Sequence, residues 1–144
     1  MTDLKRQAEL RQSIELFYFA YRAFTSRPDH ILAGQGLGRA HHRILYFVGR
    51  HPNIAIHGLL DLLEVSKQAL NAPLRHLIEK KLVSMNSAEH DKRFKQLQLT
   101  EIGKELEAQL TSTQMQHLAA AFDSTDRETE IAWRSIMKAL PEKL

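Results

Sequence analysis

The segment HDKRFKQLQLT, His90 to Thr100, constrains this chain more than any other stretch. Its second half alternates, with Leu97 and Leu99 apolar and Gln96 and Gln98 polar, which is the period of a strand with one buried face. It runs directly into Thr100-Glu101, a hydroxyl cap followed by an acid in the first turn of a helix. Its first half is basic, with Lys92, Arg93 and Lys95 around the single acid Asp91. A strand that ends where a helix begins suits the return arm of a hairpin. The outgoing strand is then Leu82–Met85, the turn region His90–Lys95 and the return strand Gln96–Leu99. Such a finger is pinned to a core by Leu97 and Leu99 and leaves Lys92, Arg93 and Lys95 at its tip.

The rest of the chain reads mainly as helix. Leu10, Ile14, Phe17, Tyr21 and Phe24 step by four, three, four and three, which is one helical face. Ser26-Arg27-Pro28-Asp29 is expected to end that helix, because the residue before a proline avoids helical backbone. Gly34, Gly36 and Gly38 then form a loop. No strand precedes them, so they lack the setting of a phosphate-cradling turn. A second helix spans His41 to Arg50 and stops at His51-Pro52-Asn53. Ile54 and Ile56 suggest a very short strand, and Gly58 to Leu63 a short apolar helix. After a turn at Glu64-Val65, Ser66 can cap a helix from Lys67 to Lys80 or Lys81. Leu70, Leu74, Leu77 and Ile78 are its apolar stripe, and the period continues across Pro73, where a kink is expected. Ile102, Leu106, Leu110, Met115, Leu118 and Phe122 extend the helix opened at Thr100. Asp123-Ser124-Thr125-Asp126 interrupts it, and Ile131, Trp133, Ile136, Met137 and Leu140 mark a last helix.

Charge is unevenly spread. Between Arg39 and Lys104 stand eleven Lys/Arg and six Asp/Glu, a surplus of +5 in a chain whose total is +3. A basic centre between near-neutral or acidic arms is the footprint of a polyanion partner, or simply a solvated charged face. No apolar run reaches the length of a membrane span, and the N-terminus has no signal-peptide core. There is no cysteine, which removes disulfides and thiolate metal sites. A cytoplasmic location is the expectation. Gly-x-Ser-x-Gly, His-Glu-x-x-His and the Walker loop are all missing from the sequence, so no enzyme is expected.

Two short helices joined by a tight turn, the second displaying Lys67, Gln68, Asn71 and Arg75 off its apolar stripe, have helix-turn-helix chemistry. Arg and Lys bond guanine O6 and N7, and Asn and Gln bond adenine N6 and N7 in the major groove. A basic hairpin beside such a helix can reach an adjacent minor groove.

With these residues in place, the order of elements resembles the MarR family of bacterial winged-helix regulators. The resemblance rests on Ser66-Lys67-Gln68-Ala69-Leu70 opening the recognition helix and Leu77-Ile78-Glu79-Lys80-Lys81-Leu82-Val83 closing it. It is strongest at Asp91-Lys92-Arg93 followed by Leu97-Gln98-Leu99-Thr100 and Gly103, where the family pattern is Asp-x-Arg, a few residues, then Leu-x-Leu-Thr-x-x-Gly. The resemblance implies a mainly α winged helix-turn-helix whose long flanking helices form a homodimer. Residues 1–38 and 101–144 would then be dimerisation segments of one compact chain, and 39–100 the DNA-reading part. It also implies a pseudo-palindromic operator, usually repression, and release of DNA by a small aromatic effector. Carried over by position, Arg93 would be the wing arginine of the minor groove, and Asp91 would hold it, or a nearby Arg, in place. Ser66, Lys67, Gln68, Asn71, Arg75, Lys92 and Lys95 complete the expected DNA contacts.

Tyr18, His41, His42 and Tyr46 are candidates to line an effector pocket. His41 and His42 could be considered as metal ligands with His57 or His117. Adjacent helical residues diverge by about 100° and do not converge on one ion, so no metal or other cofactor is expected. The alternative reading is a protein-interaction adaptor built on the same fold without DNA, which would display apolar anchors on the helix from Lys67 to Arg75.

Overall fold

The computed structural model describes residues 3–142; positions 1–2 and 143–144, the outer ends of the two expected dimerisation segments, lie outside the described residues. Six helices and three strands follow one another as α1 (Leu4–Ala33), α2 (Arg39–Arg50), β1 (Ile54–Ala55), α3 (Ile56–Leu63), α4 (Lys67–Glu79), β2 (Val83–Ala88), β3 (Asp91–Leu99), α5 (Glu101–Asp123) and α6 (Arg127–Glu142). The strands make one antiparallel sheet in the order β1-β3-β2. The fold is the winged helix expected from the sequence, and among the described residues no helix is long and apolar enough to cross a membrane.

One core joins the sheet to the helices. Ile44, Leu45 and Val48 of α2 meet Leu59 of α3, Leu70, Leu74 and Leu77 of α4, and Leu97 of β3. The expected apolar stripe of α4 is therefore the buried one, with Ile78 half-buried at its edge. Leu97 and Leu99 are buried too, so the return strand is pinned as its alternation required.

The first helix does not stop at Pro28. It continues to Ala33, and Gly36, at φ +71°, takes the left-handed conformation in the turn that follows. Pro28 forfeits only the backbone bond to Phe24, and an interior proline costs about 3 kcal/mol. Continuing the helix buries the Pro28 ring and delivers Leu32 fully into the core. Burying a leucine contributes about 1.5–3 kcal/mol, so packing offsets the backbone loss. The same logic carries α4 through Pro73, where Leu70, Leu74 and Leu77 are buried on either side of the ring.

The hairpin also departs from expectation. Its turn is Glu89–His90, and the basic residues lie on β3 rather than in the turn. Ser87 pairs with Lys95 and Ala88 with Asp91, so Lys92, Arg93 and Phe94 have no opposite partners and loop out of register. Two features hold this bulge. Ala88 is buried at the end of its strand. The Asp91 carboxylate accepts the Arg93 backbone N–H at 3.0 Å, replacing an acceptor that the broken ladder no longer supplies.

The stripe on α1 is not covered within the chain. Leu10, Ile14, Phe17 and Tyr21 are exposed, and only Phe24 is half-buried. The last helix buries no residue; it leans on the end of α5 through Trp133 against Phe122, with ring centroids 5.3 Å apart.

Candidate nucleic-acid interface

The helix-turn-helix is built by local backbone chemistry. Helix α3 ends at Glu64, whose left-handed conformation (φ 52°) turns the chain sharply. Ser66 then caps α4, its Oγ accepting the Ala69 N–H at 3.1 Å. This fixes the angle at which α4 leaves the turn. Lys67, Gln68, Asn71 and Arg75 are all exposed on α4. Among the described residues none of these four side chains has a hydrogen-bond or ion-pair partner, so their donors and acceptors face solvent ready for a ligand.

The wing is tied down at its base and at its tip. Asn53, at the end of the α2–β1 turn, bonds the Gln98 side chain, and its backbone N–H donates to Leu97 O at 3.0 Å. Thr100 Oγ1 donates to Lys81 O at 2.6 Å and accepts the Gly103 N–H at 3.1 Å. At the tip, Arg93 Nε and Nη2 donate to Asp91 Oδ1 and Oδ2 at 3.0 and 2.8 Å. This pairing holds the Asp91 carboxyl below its ordinary range and the guanidinium above its own. Such an exposed pair adds little stability. Its effect is geometric: the arginine side chain, 86% exposed, is held in one orientation with its remaining donors free. Lys95 Nζ donates to Ser87 Oγ at 3.0 Å, and Lys92 has no partner among the described residues.

These two surfaces, a polar helix face and an oriented arginine on a twisted hairpin, are the parts of a DNA reader, and comparison with known proteins decides the lineage. A MarR family model matches residues 35–93, from the turn before α2 to the wing arginine. The HTH-type transcriptional regulator PetP of Rhodobacter capsulatus is 39% identical over 132 residues, covering 92% of this chain and 80% of that protein. The chain belongs to the MarR family. It is therefore a DNA-binding transcriptional regulator and not an enzyme. Solved MarR-family structures share the fold at low identity. Staphylococcus aureus MarR, in complex with salicylate and kanamycin, superposes with a TM-score of 0.75 at 21% identity over 97% of each chain. A mutant of S. aureus MepR bound to an oligodeoxyribonucleotide superposes at 0.61 and 17% identity, over 90% of this chain and 96% of that one.

None of the four residues expected to line an effector pocket, Tyr18, His41, His42 and Tyr46, lines the cleft beside α1. Tyr18 is exposed on α1 and carries the Arg22 guanidinium 5.9 Å above its ring. Tyr46 packs edge-on against Phe47 at 5.2 Å. His41 and His42 are both partly buried and hold different neighbours. That cleft, of about 810 Å³, is lined by Phe19, Arg22, Ser26, Asp29, His30 and Arg39. Helical rotation explains the difference: Phe19 sits about 100° round the helix from Tyr18. Arg39 Nε and Asp29 Oδ2 form an ion pair at 2.8 Å within this cleft. Among the described residues no three His, Asp or Glu side chains gather as a metal cluster.

An unexpected contact joins α2 to α4. His41 Nδ1 accepts the Gly38 N–H at 3.0 Å, and its Nε2 lies 3.1 Å from His76 Nδ1. Accepting at Nδ1 places the His41 proton on Nε2, where it donates to His76. The sequence offered no sign of this pair, because its members stand 35 positions apart. Burial, then the neighbouring His76 and Lys80, hold His41 below the ordinary value of 6.5. Burial does the same to His42, against an opposing pull from Asp29 and Glu107.

Both shifts have one sign. The folded chain takes up protons at a lower pH than the unfolded chain, so stability is full above 6.5 and falls as pH drops through that value. Asp91 and Asp126 also lose stabilisation on acidification, but only below the ordinary carboxylate value of 3.8. The midpoint of urea unfolding is therefore expected to fall between pH 7.5 and about 5.5. The His41→Gln/His42→Gln double variant should flatten that slope. Equal slopes in the two proteins would remove these histidines as its cause.

Proposed function

We propose that this regulator acts in the cytoplasm as a homodimeric repressor of a pseudo-palindromic operator. Two α4 helices enter successive major grooves about 34–36 Å apart. Lys67, Gln68, Asn71 and Arg75 read bases or phosphates, and the Ser66 hydroxyl, whose oxygen already caps the helix, donates its proton to a phosphate. The wing places Arg93 in the flanking minor groove, with Asp91 as its holder and Lys92 and Lys95 on the backbone. The observation that carries this reading is the Asp91–Arg93 pair, which orients an otherwise mobile cation at the exposed end of the hairpin. An adaptor would need apolar anchors on α4, where this chain displays cations and amides. The uncovered stripes of α1 and α6 support two-fold pairing.

Release by a small planar aromatic acid is part of the same proposal. The cleft beside α1 offers the Phe19 ring for stacking and Arg22 for a carboxylate, while Arg39 is already paired to Asp29. It supports the effector reading better than Tyr18, His41, His42 and Tyr46 do, and the salicylate complex of S. aureus MarR shows that a relative takes such a compound.

The test is titration of the protein onto duplex DNA from its own upstream region, with a scrambled duplex as control, at two salt concentrations. Specific binding that weakens steeply with salt is expected. Arg93→Ala should cost about 1–3 kcal/mol in operator affinity, and Asp91→Asn should change affinity in the same direction by less. Unchanged affinity for Arg93→Ala would remove the wing from DNA reading, and a flat salt dependence would remove the basic footprint.

A further inference from the structure

Phe94 lies in the stretch of β3 that has no opposite partner on β2, between the oriented Arg93 and the anchored Lys95. It is 52% exposed. Among the described residues it makes no ring contact and does not pack on the core. An aromatic side chain spared from the core at a loop is unremarkable on its own. Its setting gives it a use. Lys92, Arg93 and Lys95 draw this loop towards a phosphate-lined groove, and a phenyl ring arriving there has no hydrogen bond to offer. What it can do is press its flat face against a base step.

We propose that Phe94 is a wedge: on operator binding it inserts beside Arg93 at the edge of the minor groove, partly unstacks one base step, and so selects a deformable step. The inference rests on the DNA-reading function above and extends it to a residue that reads no hydrogen-bond pattern. Apolar wedges that open minor-groove steps bend the duplex towards the major groove. Pyrimidine–purine steps such as TA and CA unstack most easily, whereas A-tracts are stiff and narrow, with a potential that attracts arginine. Arg93 and Phe94 thus prefer different DNA. Each half-site is expected to place a narrow A·T-rich segment under Arg93 directly beside one flexible step under Phe94. Specificity at that step arises from the energy of deformation.

The experiment uses the full chain. Binding duplexes are enriched from a random pool, and 2-aminopurine is substituted at successive adenines across the wing footprint of the best one. With the unaltered protein, fluorescence should rise at one step in each half-site, because unstacking relieves quenching. Phe94→Ala should abolish that rise and lower affinity about tenfold, within the range for loss of one base–aromatic contact. It should also lose the preference for the flexible step over the same duplex carrying a stiff AA step there. Phe94→Leu, still an apolar wedge, should keep both the signal and the preference. Arg93→Ala should weaken binding to both duplexes while the step preference persists. A fluorescence rise or step preference that survives in Phe94→Ala would overturn the wedge and leave DNA reading intact. A large loss of thermal stability in Phe94→Ala would overturn it too, by showing a packing role. Failure of the unaltered protein to enrich any duplex would overturn the wedge and the DNA reading together.

Discussion

Gly103→Ala is expected to destabilise the fold by about 3 kcal/mol or more, among the most severe results a single added methyl group can give. Gly103 occupies the first turn of α5, where alanine would ordinarily be preferred by about 1 kcal/mol. Here the new Cβ would lie 1.9 Å from the carbonyl oxygen of Leu82, inside any tolerable contact. That oxygen cannot swing away, because it accepts the Thr100 N–H at 3.1 Å. Nor can the start of α5 withdraw freely, since Thr100 Oγ1 bonds both Lys81 O and Gly103 N–H. Relief requires separating α5 from the start of β2 by more than an ångström, which unseats the buried Leu82 and Leu106. The clash therefore outweighs the helix preference. Urea unfolding checks this, with Ile102→Ala as control, because Ile102 is 51% exposed one position earlier. If Gly103→Ala unfolds at the same midpoint as the unaltered protein, the close approach is not a constraint.

The same glycine shows what the sequence could and could not convey. Gly103 entered only as part of the Leu-x-Leu-Thr-x-x-Gly resemblance, and its physical reason is a backbone contact with a residue 21 positions away. The helix order, the α4 stripe and the anchoring of Leu97 and Leu99 were legible because each follows from a local period. Ser66 and Thr100 were legible because capping is local chemistry. Pro28 misled, since its cost is local while the gain that outweighs it, burial of Leu32, is tertiary. The wing tip misled for a related reason. A period of two cannot describe Lys92, Arg93 and Phe94, which leave the register, and so the turn was expected at His90–Lys95. On the candidate interface, the exposed set on α4 followed from helical geometry. Phe94 and the His41–His76 contact did not: Phe94 is an apolar residue inside the basic stretch that no period assigns, and the two histidines stand 35 positions apart.

On the two-fold pairing proposed above, Ile136→Glu is expected to convert the dimer into monomers and, through that, to abolish operator binding. Helix α6 has no buried residue, yet Ile131, Ile136 and Leu140 are each at least half exposed and Trp133 is 40% exposed. Helices in proteins draw most of their stability from packing an apolar face, and within one protomer α6 buries none of its residues. The exposed stripe on α1 repeats the pattern at the other end of the chain, with Ile14 at 69% and Phe17 at 52% exposure. Pairing by a two-fold axis would cover both faces at once. In a monomer, placing glutamate at an exposed position changes stability by no more than about 0.5 kcal/mol. In a two-fold interface it places two carboxylates in apolar surroundings. At about 2 kcal/mol for each copy, as for an interface hot spot, the dimer weakens by about 4 kcal/mol, or roughly a thousandfold. Lys138→Glu is the control, since Lys138 is already polar and exposed on the same helix. Sedimentation equilibrium at micromolar concentration should show a dimer for the unaltered protein and for Lys138→Glu, and a monomer for Ile136→Glu. A monomer of unaltered protein, or an undisturbed Ile136→Glu dimer, would overturn the assignment of this interface. The loss of DNA binding follows from geometry. One protomer presents one α4 and one wing, and without a tethered second copy the two half-sites no longer reinforce each other. Binding should therefore fail in Ile136→Glu although Lys67, Gln68, Asn71, Arg75 and Arg93 are all unchanged.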